Sequence, residues 1–330
     1  MTRILITGGT GFIGSRLALR CVEQGETVRV LALKNTPAER RNTQELEERG
    51  IEVIDGSVTD SDVVQRACAG IDVVYHLAAA QHEVNVPDSY YHDVNVEGTR
   101  NVVQGSFDQG VRRFVHGSSI GVYGIGKNGP VGDDAPLNPD NIYGVTKLEG
   151  EKVARSFVDK LPVAIVRISE TYGPGDHRLL KLFKGVARKR FFMIGPGSDL
   201  HHVVYIDDLI DGLRLAAVSD GAPGKTFVLA GPEAITTDQM VISVCEALGT
   251  GTPKLRVPLW PLMTTAVMME ATLRPLGIQP PLHRRRMNFF VKSFLFSGEA
   301  ASTAIGYQPK VGIREGAKRT ADWYRSMKLI

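Results

Sequence analysis

The 330-residue sequence predicts an α/β fold, a doubly wound parallel sheet followed by a smaller mixed C-terminal domain. Three observations predict it. Short apolar runs alternate with helix-like segments through the first half, the pattern of βαβ units. Those runs are nearly continuous in Val, Ile and Leu, as strands buried on both faces require. The first run then stops in glycines: "ILITGGTGFIGSRL" at 4–17 carries Gly8, Gly9, Gly11 and Gly14.

Taken in order, strands are expected at 3–7, 27–33, 51–54, 72–76, 112–118 and 163–168. Helices are expected near 12–24, 41–49, 61–69, 91–109 and 142–159. After 170 the rhythm breaks. "YGPGD", "IGPGS" and "LRPLGIQPPL" are rich in Gly and Pro and read as loops. Two short strands, 202–206 and 226–230, are expected to return to the sheet. The chain thus divides into a first domain, 1–170 with 203–230 rejoining it, and a second, 171–202 with 231–330. No internal repeat or low-complexity tract is visible.

Composition narrows the partners. Charged residues are 23% and the net charge is +3, so no polyanion is implied as a partner. Only "HRRR", 283–286, concentrates positive charge. A small molecule, not nucleic acid, is the expected partner. Cys21, Cys68 and Cys245 are far apart and odd in number, which fits a reducing cytoplasm and no disulfide framework or metal site. The first apolar run is too short for a secretion signal. The longest uncharged stretch, 257–269, has 13 residues and two prolines, too few to span a bilayer. With "HRRR" after it, the segment 255–295 reads as a lid over an apolar substrate, a peripheral membrane contact or a core helix.

Gly9, Gly11 and Gly14 form G-x-G-x-x-G between a strand and a helix. Without Cβ atoms the backbone turns tightly and a pyrophosphate can sit against the helix N-terminus. Free N–H groups and the positive end of the helix dipole meet it there. A dinucleotide site is therefore expected. Further on, Tyr143 and Lys147 are four apart on an expected helix, hence on one face. Ser118 and Ser119 end an expected strand that opens on the same crevice. A tyrosine with a free pKa of ~10 needs a neighbouring cation to move protons near neutrality. A serine hydroxyl can hold the substrate oxygen meanwhile.

These residues, with "TGGTGFIG", "HLAA" at 76–79, "NVEGTRN" at 95–101, "SSIGVYG" at 118–124, "YGVTK" at 143–147, "VRISETYGPGD" at 166–176 and "VYIDD" at 204–208, resemble the extended short-chain dehydrogenase/reductase family, also called the NAD-dependent epimerase/dehydratase family. The match covers nearly the whole chain. It implies a Rossmann domain with strand order 3-2-1-4-5-6-7, a bound NAD(H) or NADP(H), and a catalytic Ser119, Tyr143 and Lys147. Gly8, Gly11, Phe12, Ile13 and Gly14 would hold the pyrophosphate, Ser57 and Val58 the adenine, and Leu77, Ala78 and Ala79 the turn beside the cofactor. Asn95 matches an asparagine that organises the site in many members, or else packs strand against helix. Residues 280–325 look like the tail of the 3β-hydroxysteroid dehydrogenase branch, which suggests an apolar cyclic alcohol or ketone. The family often dimerises through helices such as 91–109 and 142–159, so a homodimer is expected.

Departures from the family pattern refine this. The second strand ends at Ala32, where NAD-preferring relatives carry an acid, and Lys34 follows. This leans the cofactor towards NADP. Ile120 and Gly121 stand where dehydratases place acid and base. Glu170 stands where sugar-nucleotide epimerases carry Asn, and like charges ~4 Å apart cost ~4 kcal/mol at an effective dielectric of ~20. His82, Glu83, Tyr123, Glu170, His177 and Arg178 are the candidate substrate contacts. His201 and His202 face opposite sides of a strand and make a poor metal pair; no metal is expected. A nucleotide-sugar 4-epimerase with tightly held NAD is the first alternative, and a non-catalytic dinucleotide sensor the second.

Overall fold

The computed structural model describes residues 1–81, 86–124, 131–132, 135–273, 278, 280 and 293–330. Six strands build the sheet as expected: β1 (Arg3–Thr7), β2 (Thr27–Ala32), β3 (Glu52–Asp55), β4 (Val73–His76), β5 (Arg113–Ser119) and β6 (Val163–Ile168). A seventh, Thr226–Leu229, joins beside β6. The order is 3-2-1-4-5-6-7, and every pairing is parallel. Leu5, Ile6, Val30, Leu31, Val74, Phe114, Val115 and Ala164 are all completely buried. Burying such aliphatic and aromatic side chains contributes about 1.5–3 kcal/mol each.

The first expected return strand, 202–206, does not join the sheet. Val204–Tyr205 pairs with Thr171–Tyr172 in a separate two-stranded unit. The run 202–206 is nonetheless buried.

Several helices start where a side chain satisfies their first N–H groups. Asp60 caps α3 (Ser61–Cys68), and Asn141 caps α6 (Ile142–Arg155), accepting from the Gly144 amide at 3.0 Å. α2 (Pro37–Glu48) begins earlier than its apolar pattern suggests, because Thr36 and Glu39 form a reciprocal capping box with Pro37 at its first position. α1 (Phe12–Glu23) starts without such a cap. Its N-cap is Gly11, with no side-chain cap and no acid in the first turn.

The segment expected as one helix over 91–109 is three pieces: α4 (Asp88–His92), a π-helical turn (Asp93–Glu97) and α5 (Gly98–Asp108). The turn carries Asn95. A Cβ on Gly150 of α6 would lie 2.6 Å from the Asn95 carbonyl oxygen, so α6 and the π turn are in direct backbone contact.

Asp207 and Asp208 lie inside the first turn of the helix Ile206–Val218. Asp208 Oδ2 accepts the amides of Lys310 and Val311 and ties down the C-terminal segment. The helix Leu259–Leu273 is 15 residues long, with Trp260 and Met268 exposed. Among the described residues no helix is long and apolar enough to cross a membrane. Residues 283–286 lie outside the described residues.

Candidate active site

A cleft of about 1070 Å³ runs along the carboxyl ends of the strands. The sheet order explains its place. β1 sits between β2 and β4, so the connections from these strands leave on opposite faces and open a crevice there.

The glycine loop forms its floor. The Gly8 backbone, with φ +70°, would put a Cβ 2.8 Å from the Ala78 backbone. A Cβ on Gly14 would meet the Gly8 carbonyl at 2.4 Å. The loop thus packs with no room for side chains, and α1 points its uncapped first turn into the cleft. Gly8, Gly11, Phe12, Ile13, Gly14, Ser57, Val58, Leu77, Ala78 and Ala79 all line it. These residues fit a dinucleotide: bare N–H groups for phosphate, an apolar shelf at Val58, and a backbone wall at 77–79.

Lys34 does not line this cleft. Its ammonium lies 3.6 Å from Glu47 on α2. Leu33, Asn35 and Arg41 form that wall. Asn42 braces it, donating to the Thr10 carbonyl at 2.8 Å. Arg41 was not foreseen, since only the α2 register turns it towards the cleft; its Nη2 also meets His177 Nε2 at 3.2 Å.

At the other end Ser119, Tyr143 and Lys147 come together. β5 ends in Ser118 and Ser119, and alternation turns them opposite ways. Ser118 is buried and donates to Glu151 Oε1 at 2.6 Å. Ser119 begins the short turn Ile120–Tyr123, its Oγ accepting the Gly121 amide at 3.1 Å. A Cβ on Gly121 would lie 3.4 Å from Ser119 Oγ and 3.6 Å from the Tyr143 ring, so both flank the same glycine. Lys147, one turn after Tyr143, is 2% exposed and donates to the Gly117 carbonyl at 2.7 Å. Burial pulls its pKa down to about 8, against the pull of the Glu151 carboxylate.

Beneath lies a buried ion pair that sequence reasoning missed. Arg167 on β6 donates to both oxygens of Glu151, at 3.0 and 2.9 Å. Its Nη1 donates to the Tyr123 hydroxyl at 2.8 Å. Removing one member of such a buried pair costs about 3–5 kcal/mol. Glu151 follows Lys147 by four residues, so its shared face was readable from spacing; its partner Arg167 was not. Tyr123, a candidate substrate contact, is buried in this network and does not line the cleft.

Asn95 also lies behind the cleft wall. Its Oδ1 accepts the Ala80 amide at 2.8 Å, and its Nδ2 donates to the Ala80 carbonyl at 3.0 Å and Thr146 Oγ1 at 2.9 Å. It fastens the turn after β4 to α6. A second buried relay supports it: Thr7 Oγ1 meets His76 Nδ1 at 2.7 Å, and His76 Nε2 meets Thr99 Oγ1 at 2.9 Å. Thr99 in turn donates to the Asn95 carbonyl. Burial pushes the His76 pKa down to about 3 and that of His116, whose tilted ring lies 5.4 Å from it, well down too. Neither ring nitrogen of His116 has a hydrogen-bond partner.

Glu170, His177 and Arg178 line the cleft. Glu170 Oε2 is held by His201 Nδ1 at 3.0 Å, and His201 Nε2 meets Thr237 at 3.0 Å. Arg178 is tied to the buried Asp176. Desolvation, then the charge of Arg41, lowers the His177 pKa. His82 and Glu83 lie outside the described residues. Among the described residues no cluster of His, Cys, Asp and Glu could hold a metal ion.

The family model for the NAD dependent epimerase/dehydratase family matches residues 4–230. The chain belongs to that family. As an extended short-chain dehydrogenase/reductase, it is an enzyme of a family whose members are NAD-dependent dehydrogenases and epimerases. It is 28% identical over 346 residues to the Arabidopsis thaliana 3beta-hydroxysteroid-dehydrogenase/decarboxylase isoform 2, covering 96% of this chain but 61% of that protein. It is 28% identical over 261 residues to the Escherichia coli O157:H7 N-acetyl-alpha-D-glucosaminyl-diphospho-ditrans,octacis-undecaprenol 4-epimerase, covering 77% of this chain and 75% of that one. The crystal structure of DesIV, a dTDP-glucose 4,6-dehydratase from Streptomyces venezuelae with NAD and TYD bound, superposes with a TM-score of 0.78 at 26% identity, covering 98% of this chain and 97% of that one.

Proposed function

We propose that this extended short-chain dehydrogenase/reductase oxidises or reduces a carbinol or carbonyl carbon of an apolar, cyclic, sterol-like small molecule. One observation carries the choice of chemistry: Ser119 and Tyr143 flank Gly121 while Lys147 is held beneath them. The dinucleotide, when bound, supplies or accepts the hydride.

The chain's own residues handle the rest. The Gly11–Gly14 turn and α1 bind phosphate. Ser119 Oγ holds the substrate oxygen. Tyr143 moves the hydroxyl proton, and the Lys147 ammonium favours its phenolate. No carboxylate stands at the end of β2, and Arg41 supplies a cation on that wall, which supports NADP(H) ahead of NAD(H).

Two features support the apolar substrate. The Glu170 carboxylate lines the cleft, where it would repel a substrate diphosphate. Ile120 and Gly121 follow Ser119, so the acid and base of an elimination are missing there. The likeness to the undecaprenol-linked epimerase supports a second reading, a nucleotide-sugar 4-epimerase.

The test is hydride transfer with purified protein, NAD(P)(H) and a panel of 3-hydroxy and 3-keto sterols, beside UDP-hexoses. Cofactor-dependent turnover of the sterols is expected, falling by roughly 10²–10⁴ in Tyr143→Phe with cofactor affinity nearly intact. UDP-hexose epimerisation with NAD retained through purification would replace this reading with the second.

A further inference from the structure

We propose that Glu151, clamped by Arg167, is a positioning residue whose carboxylate keeps Lys147 charged and so sets the acidity of Tyr143. The inference rests on the reading above that Tyr143 moves the proton.

Tyr143, Lys147 and Glu151 recur every four residues on α6 and share one face. Lys147 and Glu151 are each 2% exposed and Arg167 3%, so these charges sit out of water. An ammonium there needs an opposite charge. The groups that face it settle which. From β4 and β5 come His76 and His116, both kept neutral by burial. From β5 comes the Gly117 carbonyl. From α6 come Tyr143 and Glu151. Arg167 comes from β6 and pairs with Glu151. Glu151 is thus the carboxylate that acts on Lys147.

The clamp fixes how strongly it acts. Two Arg167 bonds and one from Ser118 hold the carboxylate. Tyr123 holds Arg167 in turn, its ring 4.9 Å from the guanidinium. Arg167 partly neutralises Glu151 and limits its pull on Lys147. A pair serving stability alone would need no such place, since buried ion pairs are often replaced by apolar residues without loss.

The two partners therefore predict opposite shifts. Glu151→Gln keeps a side chain that can bond Ser118 but removes the charge. Lys147 then holds its proton less firmly and Tyr143 ionises at higher pH. Arg167→Gln leaves the Glu151 charge unopposed and moves Tyr143 the other way. Two measurements read this: the pH profile of kcat, and the ultraviolet tyrosinate titration of the cofactor-free protein with Tyr143→Phe as the reference. Each single variant should move both by about one pH unit, a tenfold change in proton affinity, in opposite directions. The double variant should lie between Glu151→Gln and wild type, because Arg167 only partly offsets the carboxylate.

Urea unfolding of each variant separates this from a structural role. Loss of stability in both single variants without opposed shifts overturns the inference. If Glu151→Gln does not fold, the Arg167→Gln arm decides alone, and an unmoved Tyr143 titration overturns it. If wild type shows the titration but no hydride transfer, the functional reading fails and the coupling of Glu151 to Tyr143 stands.

Discussion

The Lys34 ammonium lies 3.6 Å from the Glu47 carboxylate on α2 and does not line the cleft at the strand ends. The carboxylate is about half exposed, and exposed pairs of this kind are worth about 0–1 kcal/mol. Lys34 is therefore no strong structural link, and it does not line the cleft.

Lys34→Ala should change the ratio of NADP(H) to NAD(H) affinity by less than about threefold. Arg41→Gln should weaken NADP(H) by roughly 10- to 100-fold, the loss of one charge-assisted phosphate contact, and NAD(H) much less. Fluorescence titration with each reduced cofactor checks both. A large loss in Lys34→Ala with none in Arg41→Gln would reverse the assignment.

Asn95 matters through both ends of its amide. Asn95→Ala leaves the buried Ala80 amide and carbonyl without partners and should cost about 2–4 kcal/mol in urea unfolding. Asn95→Asp should not rescue it, because a carboxylate has no donor for the Ala80 carbonyl. An Asn95→Asp protein as stable as wild type would show that the amide is not what joins the π turn to the loop after β4.

Buried Lys147 sacrifices stability for charge. Its folded pKa of about 8 lies below the ordinary 10.5, so unfolding favours the protonated form. The penalty is fully present below pH 8, about 3 kcal/mol, and is relieved as pH rises from 8 to 10.5. Wild type should therefore gain stability relative to Lys147→Met across that window. Melting temperatures of both proteins at pH 7 and pH 10 test this. A gap that stays constant would mean that Lys147 does not titrate there.

Much of the architecture was legible before folding because its causes are local. The apolar runs of β1, β2, β4, β5 and β6 announce burial on both faces, and Gly8 to Gly14 can only serve a tight turn. Tyr143 and Lys147 share a face by helical spacing alone. Local spacing could not rank Lys34 against Arg41, since one is aimed away by Glu47 and the other inward by the register of α2. Nor could it place Tyr123, whose hydroxyl serves Arg167.

The sequence by itself determined the strands, the glycine turn and the Tyr–Lys face, because each depends on residues within one or two turns of chain. Tertiary structure decided which serine faces the cleft, where Val204–Tyr205 pairs, and that Glu151 meets Arg167. Those outcomes depend on contacts between residues far apart in the chain, set by how strands stack side by side, and no local pattern encodes them.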